Sequence, residues 1–120
     1  MKRIAMFMMM AAFAAMAACS SDTTEIGWKN NEISGENINE IVWVAEDITW
    51  IKGDTNIPTS GYANGEITEQ KEVKPGTSQV WAALWDGSGY ASGDAKLETG
   101  NNSYTIHEGE SVIVTINQIE

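Results

Sequence analysis

The sequence predicts a small all-β domain over residues 25–120, a single antiparallel β-sandwich of immunoglobulin-like type, with a small β-barrel as the alternative. Three observations carry this. After the first eighteen residues, no stretch repeats its apolar side chains at the 3.6-residue helical period. Short runs rich in β-branched and aromatic residues follow one another instead, divided by Gly, Asn, Pro and Asp. About seven such runs at this spacing match the strand count of a sandwich.

The strands can be read in order. Glu25 to Lys29 sets Ile26 and Trp28 on one face, because strand side chains alternate. Ile38 to Ala45 reads as a strand with Ile41, Trp43 and Ala45 on one side and Val42 and Val44 on the other. Glu46-Asp47 interrupts it, and Ile48 to Lys52 resumes. Gly53 to Gly65 is loop, rich in turn residues. Glu66 to Lys74 alternates weakly: Ile67 and Val73 mark an inward side, and the charges on both faces suit an edge strand that must refuse further pairing.

Pro75-Gly76 turns the chain. Val80 to Trp85 is then apolar without a break, which suits the centre of a sheet or a face used for binding. Asp86-Gly87-Ser88-Gly89 opens a loop running through Gly93. Asp94 to Glu98 and Ser103 to Ile106 form short strands around Gly100-Asn101-Asn102, and His107 to Glu110 turns into a last strand, Ser111 to Ile119. In that strand Val112, Val114 and Ile116 point inward, opposite Ile113, Thr115 and Asn117, and are expected to share a buried face with the Ile41–Val44 strand.

The first residues carry an address. Lys2 and Arg3 precede Ile4 to Ala15, a run without a charged or hydrogen-bonding side chain. The run is too short for a membrane helix, which takes about 20 residues. Met16-Ala17-Ala18-Cys19 follows, holding the only cysteine of the chain. An ordinary secretory peptidase accepts the small-x-small spacing of Ala15-Met16-Ala17. The position of the unique cysteine favours a different processing, since exported domains rarely keep a lone thiol. These residues resemble the bacterial lipoprotein signal class, with Met16 where that class usually has Leu. The resemblance implies a helical signal peptide over residues 1–18, an acylated Cys19, and a polar tether over residues 19–24. Ser20 resembles the sorting residue of lipoproteins sent to the outer membrane, which leaves open which side of that membrane the domain faces. The partner implied is the membrane itself, held through acyl chains.

Composition narrows the other partners. Removing Lys2 and Arg3 leaves five lysines and no arginine against seventeen carboxylates, a net charge of −12 for residues 19–120. Nucleic acid is excluded as a partner, because binding it requires a basic patch. No second cysteine exists to form a disulfide. All five Trp and neither Phe lie beyond the leader, so indoles must supply much of the core.

Catalytic chemistry finds little purchase. His107 is the only imidazole, with Glu108 and Glu110 as neighbours in a turn. No nucleophile-elbow pattern is present, and one His with an acylated Cys cannot furnish a zinc ligand set. Neither an enzymatic activity nor a cofactor is expected. Calcium has a weak case at Asp86, Ser88 and Asp94, where oxygen ligands fall in a Gly-rich loop; the plain reading is a hairpin turn.

Trp81 and Trp85 are the candidate ligand-binding residues. Equal parity puts Trp81, Ala83 and Trp85 on one face, and a small Ala between two indoles leaves a shelf for an apolar or sugar ligand. Packing under a facing sheet, or under the Gly53–Gly65 loop, would make both rings core residues instead. Two functions follow: a non-enzymatic cell-envelope lipoprotein presenting an interaction or structural module to a protein or glycan partner, or a carbohydrate- or peptide-binding domain using the aromatic shelf. Exposure of the two rings separates them.

Overall fold

A computed structural model describes residues 23–53, 60–85 and 88–120. The expected leader helix, Cys19, most of the expected tether and Asp86 lie outside the described residues. Among the described residues the chain forms β1 (Glu25–Asn30), β2 (Ile38–Trp43), β3 (Ile48–Ile51), β4 (Lys71–Glu72), β5 (Gly76–Trp85), β6 (Tyr90–Leu97), β7 (Ser103–Ile106) and β8 (Ser111–Ile119). They hydrogen-bond in the order β3-β2-β5-β6-β8-β1-β4, with β7 also paired to β5.

The sheet is mixed, which corrects the expected antiparallel arrangement. β1 runs parallel to β8, from Glu25 opposite Ser111 to Asn30 opposite Ile116. Alternation fixes which face a side chain takes, but not which strand lies alongside. β1 and β8 come from opposite ends of the domain, so no hairpin forces them antiparallel. Because β8 is antiparallel to β6 and β6 to β5, the strands β1, β8 and β5 all point the same way.

Two strands change partners along their length, and this curls the sheet. β5 gives Gly76–Gln79 to β7 and Trp81–Trp85 to β6. β6 pairs with β5 up to Asp94 and with β8 from Ala95. Gly93 sits at the switch, where a Cβ would lie 1.8 Å from the Glu120 carbonyl oxygen. Only a residue without a side chain lets the end of β8 pass that closely. The product is an all-β domain whose curled mixed sheet makes a half-barrel.

The curl brings the two end strands of the sheet, β3 and β4, toward each other, and side chains bridge them. Lys71 Nζ donates to the Thr49 carbonyl at 2.7 Å, and Trp50 Nε1 donates to the Glu69 carbonyl at 3.0 Å. The Lys71 ammonium also stands 5.6 Å from the Trp50 ring centroid. Lys52 pairs with Glu66 across the same seam. An edge strand with free backbone groups invites another chain to pair; here side chains occupy part of both edges.

The core fills the inside of the curl. Trp28, Trp43 and Trp50 are fully buried there, with Ile41, Val114 and Ile116 in the same cluster and Val112 packed against it. Trp28 meets Trp43 at 6.2 Å and Trp50 at 5.6 Å, the latter edge to face at 88°. At about 25 cal/mol per Å², each buried indole contributes roughly 4–6 kcal/mol of transfer free energy. Ile26, Trp28, Ile41, Trp43, Val114 and Ile116 thus take the inward positions that their parity predicts.

Three local expectations are corrected. β2 stops at Trp43, and Val44–Glu46 is a 3-10 turn closed by Asp47 in the left-handed region at φ 53°. Val44 is therefore 48% exposed and Ala45 is also outside the core, although both are apolar. Ile67 faces solvent at 54% exposure; from this segment Thr68 turns inward, its Oγ1 accepting the Trp28 backbone N–H. The loop after β5 closes by Tyr90 rather than Gly93, so Ala91, Ser92 and Gly93 belong to a strand despite their small-residue composition.

Candidate functional site

β5 has two unlike faces. Val80 and Ala82 point into the core with no exposure, whereas Trp81 and Trp85 lie half-buried on the outer face with Ala83 between them. Four residues at about 3.4 Å separate the two Trp Cα atoms by roughly 14 Å. The shared face expected from parity is present, and neither ring belongs to the buried core.

Register supplies their neighbours. Trp85 stands opposite Tyr90, the rings 5.2 Å apart and tilted at 73°. Ala83 stands opposite Ser92 on β6 and Glu40 on β2, and Trp81 opposite Asp94 and Val42. The small side chains of Ala83 and Ser92 leave a hollow of about 210 Å³ lined by Asn39, Glu40, Trp81, Ala83, Tyr90 and Ser92. Trp81 and Tyr90 border this hollow, and Trp85 backs Tyr90 edge-on. The shelf is thus narrower than two indoles alone would make it.

Asn39 reaches the wall through an irregularity. The β2–β5 register shifts between Ile38 and Glu40, so Asn39 has no opposite number on β5. Such bulges re-aim side chains. Asn39 Nδ2 donates to the Ser60 carbonyl at 2.7 Å, which fixes the amide, while its buried Oδ1 has no donor. Leaving a buried acceptor unanswered costs about 1–3 kcal/mol. Among the described residues only Trp28 Nε1 shares that condition, and it lies in the core. Glu40 is half-buried, and its carboxylate makes no hydrogen bond or ion pair with another described residue. No lysine lines the hollow.

Two other hollows have polar groups already engaged. One of about 270 Å³ lies between Trp43 and the Lys74–Ser78 segment; there Glu46 Oε1 accepts the Lys74 backbone N–H and Ser78 Oγ accepts that of Ala45. The other, about 220 Å³, is bordered by the Lys96–Glu120 ion pair.

Of the calcium candidates, only Ser88 and Asp94 are described. Asp94 lies within β6, paired with Trp81, rather than in the loop with Ser88, and Asp86 is outside the described residues. Among the described residues no three His, Cys, Asp or Glu side chains gather to hold a metal ion. His107 is exposed, its Nδ1 3.2 Å from Glu110 Oε1. The His107 backbone N–H donates to the same carboxylate and holds the Glu110 pKa below its ordinary value.

Of the loop considered as a cover for the aromatic face, residues 60–62 pack beside Ile38 and Asn39, where Tyr62 and Ile38 exchange backbone hydrogen bonds; residues 54–59 lie outside the described set. Tyr90, Ser92, Glu40 and Asn39 escape sequence reasoning because register, not sequence distance, assembles them. One signal was available: a tight hairpin after Trp85 sets Tyr90 opposite it. In comparisons with known proteins, the chain matches no family model, no curated protein and no solved structure.

Proposed function

We propose that this chain is a cell-envelope lipoprotein whose β-domain is a non-catalytic binding module, with the Trp81–Trp85–Tyr90 strip as its ligand-binding face. The observation that carries the reading is the hollow between Trp81 and Tyr90 on the outer face of β5. Core residues do not need it: three other indoles fill the interior. Exposed aromatic surface beside a few convergent polar groups is the ordinary make-up of a small ligand site. The ligand class is a carbohydrate or peptide chain met at the envelope.

The leader and the unique Cys19 support lipid anchoring, with Ser20 supporting outer-membrane sorting. The acidity of residues 19–120 supports anchoring by acyl chains alone, since anionic headgroups repel the domain. An immunoglobulin-like sandwich is the finer fold reading, supported by the first strand lying beside the last and by strands that pass between two partner sets. A catalytic role has less support: His107 follows Ile106, which pairs with Gly76 at the end of β5 away from the hollow.

The test is fluorescence titration of the full chain with envelope polysaccharides and with peptides, in parallel with Trp81→Ala and Trp85→Ala. Binding that both substitutions abolish supports the module; binding that survives both moves the site elsewhere. Mass spectrometry of the mature N-terminus tests the anchor, with an unmodified N-terminus at any other residue counting against it.

A further inference from the structure

We infer that the occupant of this hollow is a neutral sugar ring, stacked on Trp81 with a hydroxyl group donating to Glu40; this rests on the binding-module reading. The polar inventory of the site points to it. Glu40 contributes a carboxylate to the wall, and the Asp94 carboxylate flanks Trp81; both are acceptors. A ligand that satisfies acceptors must bring donors. A carboxylate or phosphate ligand brings negative charge to a site that has no cation to receive it.

Position argues against a peptide strand. Peptides that add to a sheet do so at an edge, through main-chain hydrogen bonds. The hollow lies on the face of the sheet, and β5 between Val80 and Trp85 is already paired with β2 on one side and β6 on the other. What remains for a ligand is side-chain chemistry: the face of an indole, a small-residue floor and acceptors at the rim. A pyranose matches it, with one apolar C–H face and hydroxyls around its edge. The volume, about 210 Å³, lies below the roughly 300 Å³ where drug-sized pockets begin. It suits one ring, with Trp85 and Tyr90 placed to meet the next ring of a chain.

Calorimetric titration of the full chain tests this with three probes: neutral oligosaccharides of glucose, mannose and xylose; an oligogalacturonate; and a lysine-rich peptide. A neutral oligosaccharide is expected to bind with an affinity unchanged by salt, since no ion pair is formed. Trp81→Ala should abolish binding. Glu40→Gln, at a half-buried surface position, should weaken it about tenfold, because charge-assisted hydrogen bonds are the stronger kind. Circular dichroism confirms that both variants fold. Binding of the peptide alone, lost in Trp81→Ala and weakened by salt, would overturn the sugar while leaving the binding module standing. Oligosaccharide binding that is indifferent to Trp81→Ala and Glu40→Gln would overturn the assignment to this hollow. Silence from all three probes would remove the sugar, and silence from the wider panel of polysaccharides and peptides would remove the module with it.

Discussion

Trp28, Trp43 and Trp50 lie inside the half-barrel; Trp81 and Trp85 lie on its outer face. The side chain is the same, yet the surroundings differ in kind. The inner rings touch one another and hold the curl together, with Trp50 Nε1 donating across the seam to the Glu69 carbonyl. The outer pair is kept apart by Ala83, and only Trp85 has an aromatic neighbour, Tyr90. Inner indoles are thus committed to stability. The outer ones stabilise less and leave ring surface free for something else.

The largest way to break this contrast is Trp28→Ala. Removing a fully buried indole should cost about 3–5 kcal/mol, a large part of the roughly 5–15 kcal/mol by which domains are stable. Chemical denaturation should show a greatly lowered midpoint. A loss within about 0.5 kcal/mol, typical of surface positions, would mean that the inner cluster is not the core.

Alkaline titration probes the rim of the same interior. Burial, and then the neighbouring Glu69 carboxylate, which accepts the Tyr62 hydroxyl hydrogen bond, push the Tyr62 pKa up to about 12. The raised value favours the protonated phenol in the folded state. Its stability contribution is therefore whole below pH 10 and is lost as pH rises through about 12. Denaturation midpoints measured across that window should fall, and Tyr62→Phe should flatten part of the slope. Burial and the Glu110 and Glu98 charges raise Tyr104 as well, so a residual slope is expected.

Trp81→Ala and Trp85→Ala sharpen the contrast from the other side. Each should lower stability by only about 1 kcal/mol, near the centre of the range for ordinary substitutions, while removing ligand binding. A loss as large as that of Trp28→Ala would make the outer rings structural and end the distinction. The smallest effect belongs to Lys71→Ala at the seam. Partly exposed ion pairs and cation contacts are worth about 0–1 kcal/mol, so the denaturation midpoint should scarcely move. Concentration-dependent self-association, read by light scattering, should nonetheless rise as the Thr49 edge is uncovered.

Where alternation was strict, the sequence was legible. Ser111–Ile119 was readable to the residue because Val112, Val114 and Ile116 repeat at the strand period. The shared face of Trp81, Ala83 and Trp85 followed from the same rule. Val44 and Ala45 misled because their apolarity favours a strand, whereas the backbone is turned there by the left-handed Asp47. Ala91 to Gly93 misled in reverse: small residues suggested loop, but Gly93 is small because Glu120 passes over it. The parallel partner of β1 left no trace in either strand's pattern. The hollow was half legible, since Trp81 and Ala83 lie along one strand, whereas Tyr90 and Ser92 come from β6 and the remaining polar wall from β2, some forty residues earlier in the chain.

The common direction of β1, β8 and β5 has a geographic consequence. The chain enters the domain at Thr24, whose carbonyl accepts the Val73 N–H and whose hydroxyl accepts that of Gly109. That pole also holds the His107–Glu110 turn and the start of β5, with Gly76 opposite Ile106. Trp81 and Trp85 lie five and nine residues further along β5, or about 17 and 31 Å at strand rise. Whatever holds the chain ahead of Thr24 therefore grips one pole, and the hollow opens on the flank of the sheet toward the other. Under the proposed lipid anchoring, the aromatic face would stand clear of the surface beneath it and within reach of what passes above.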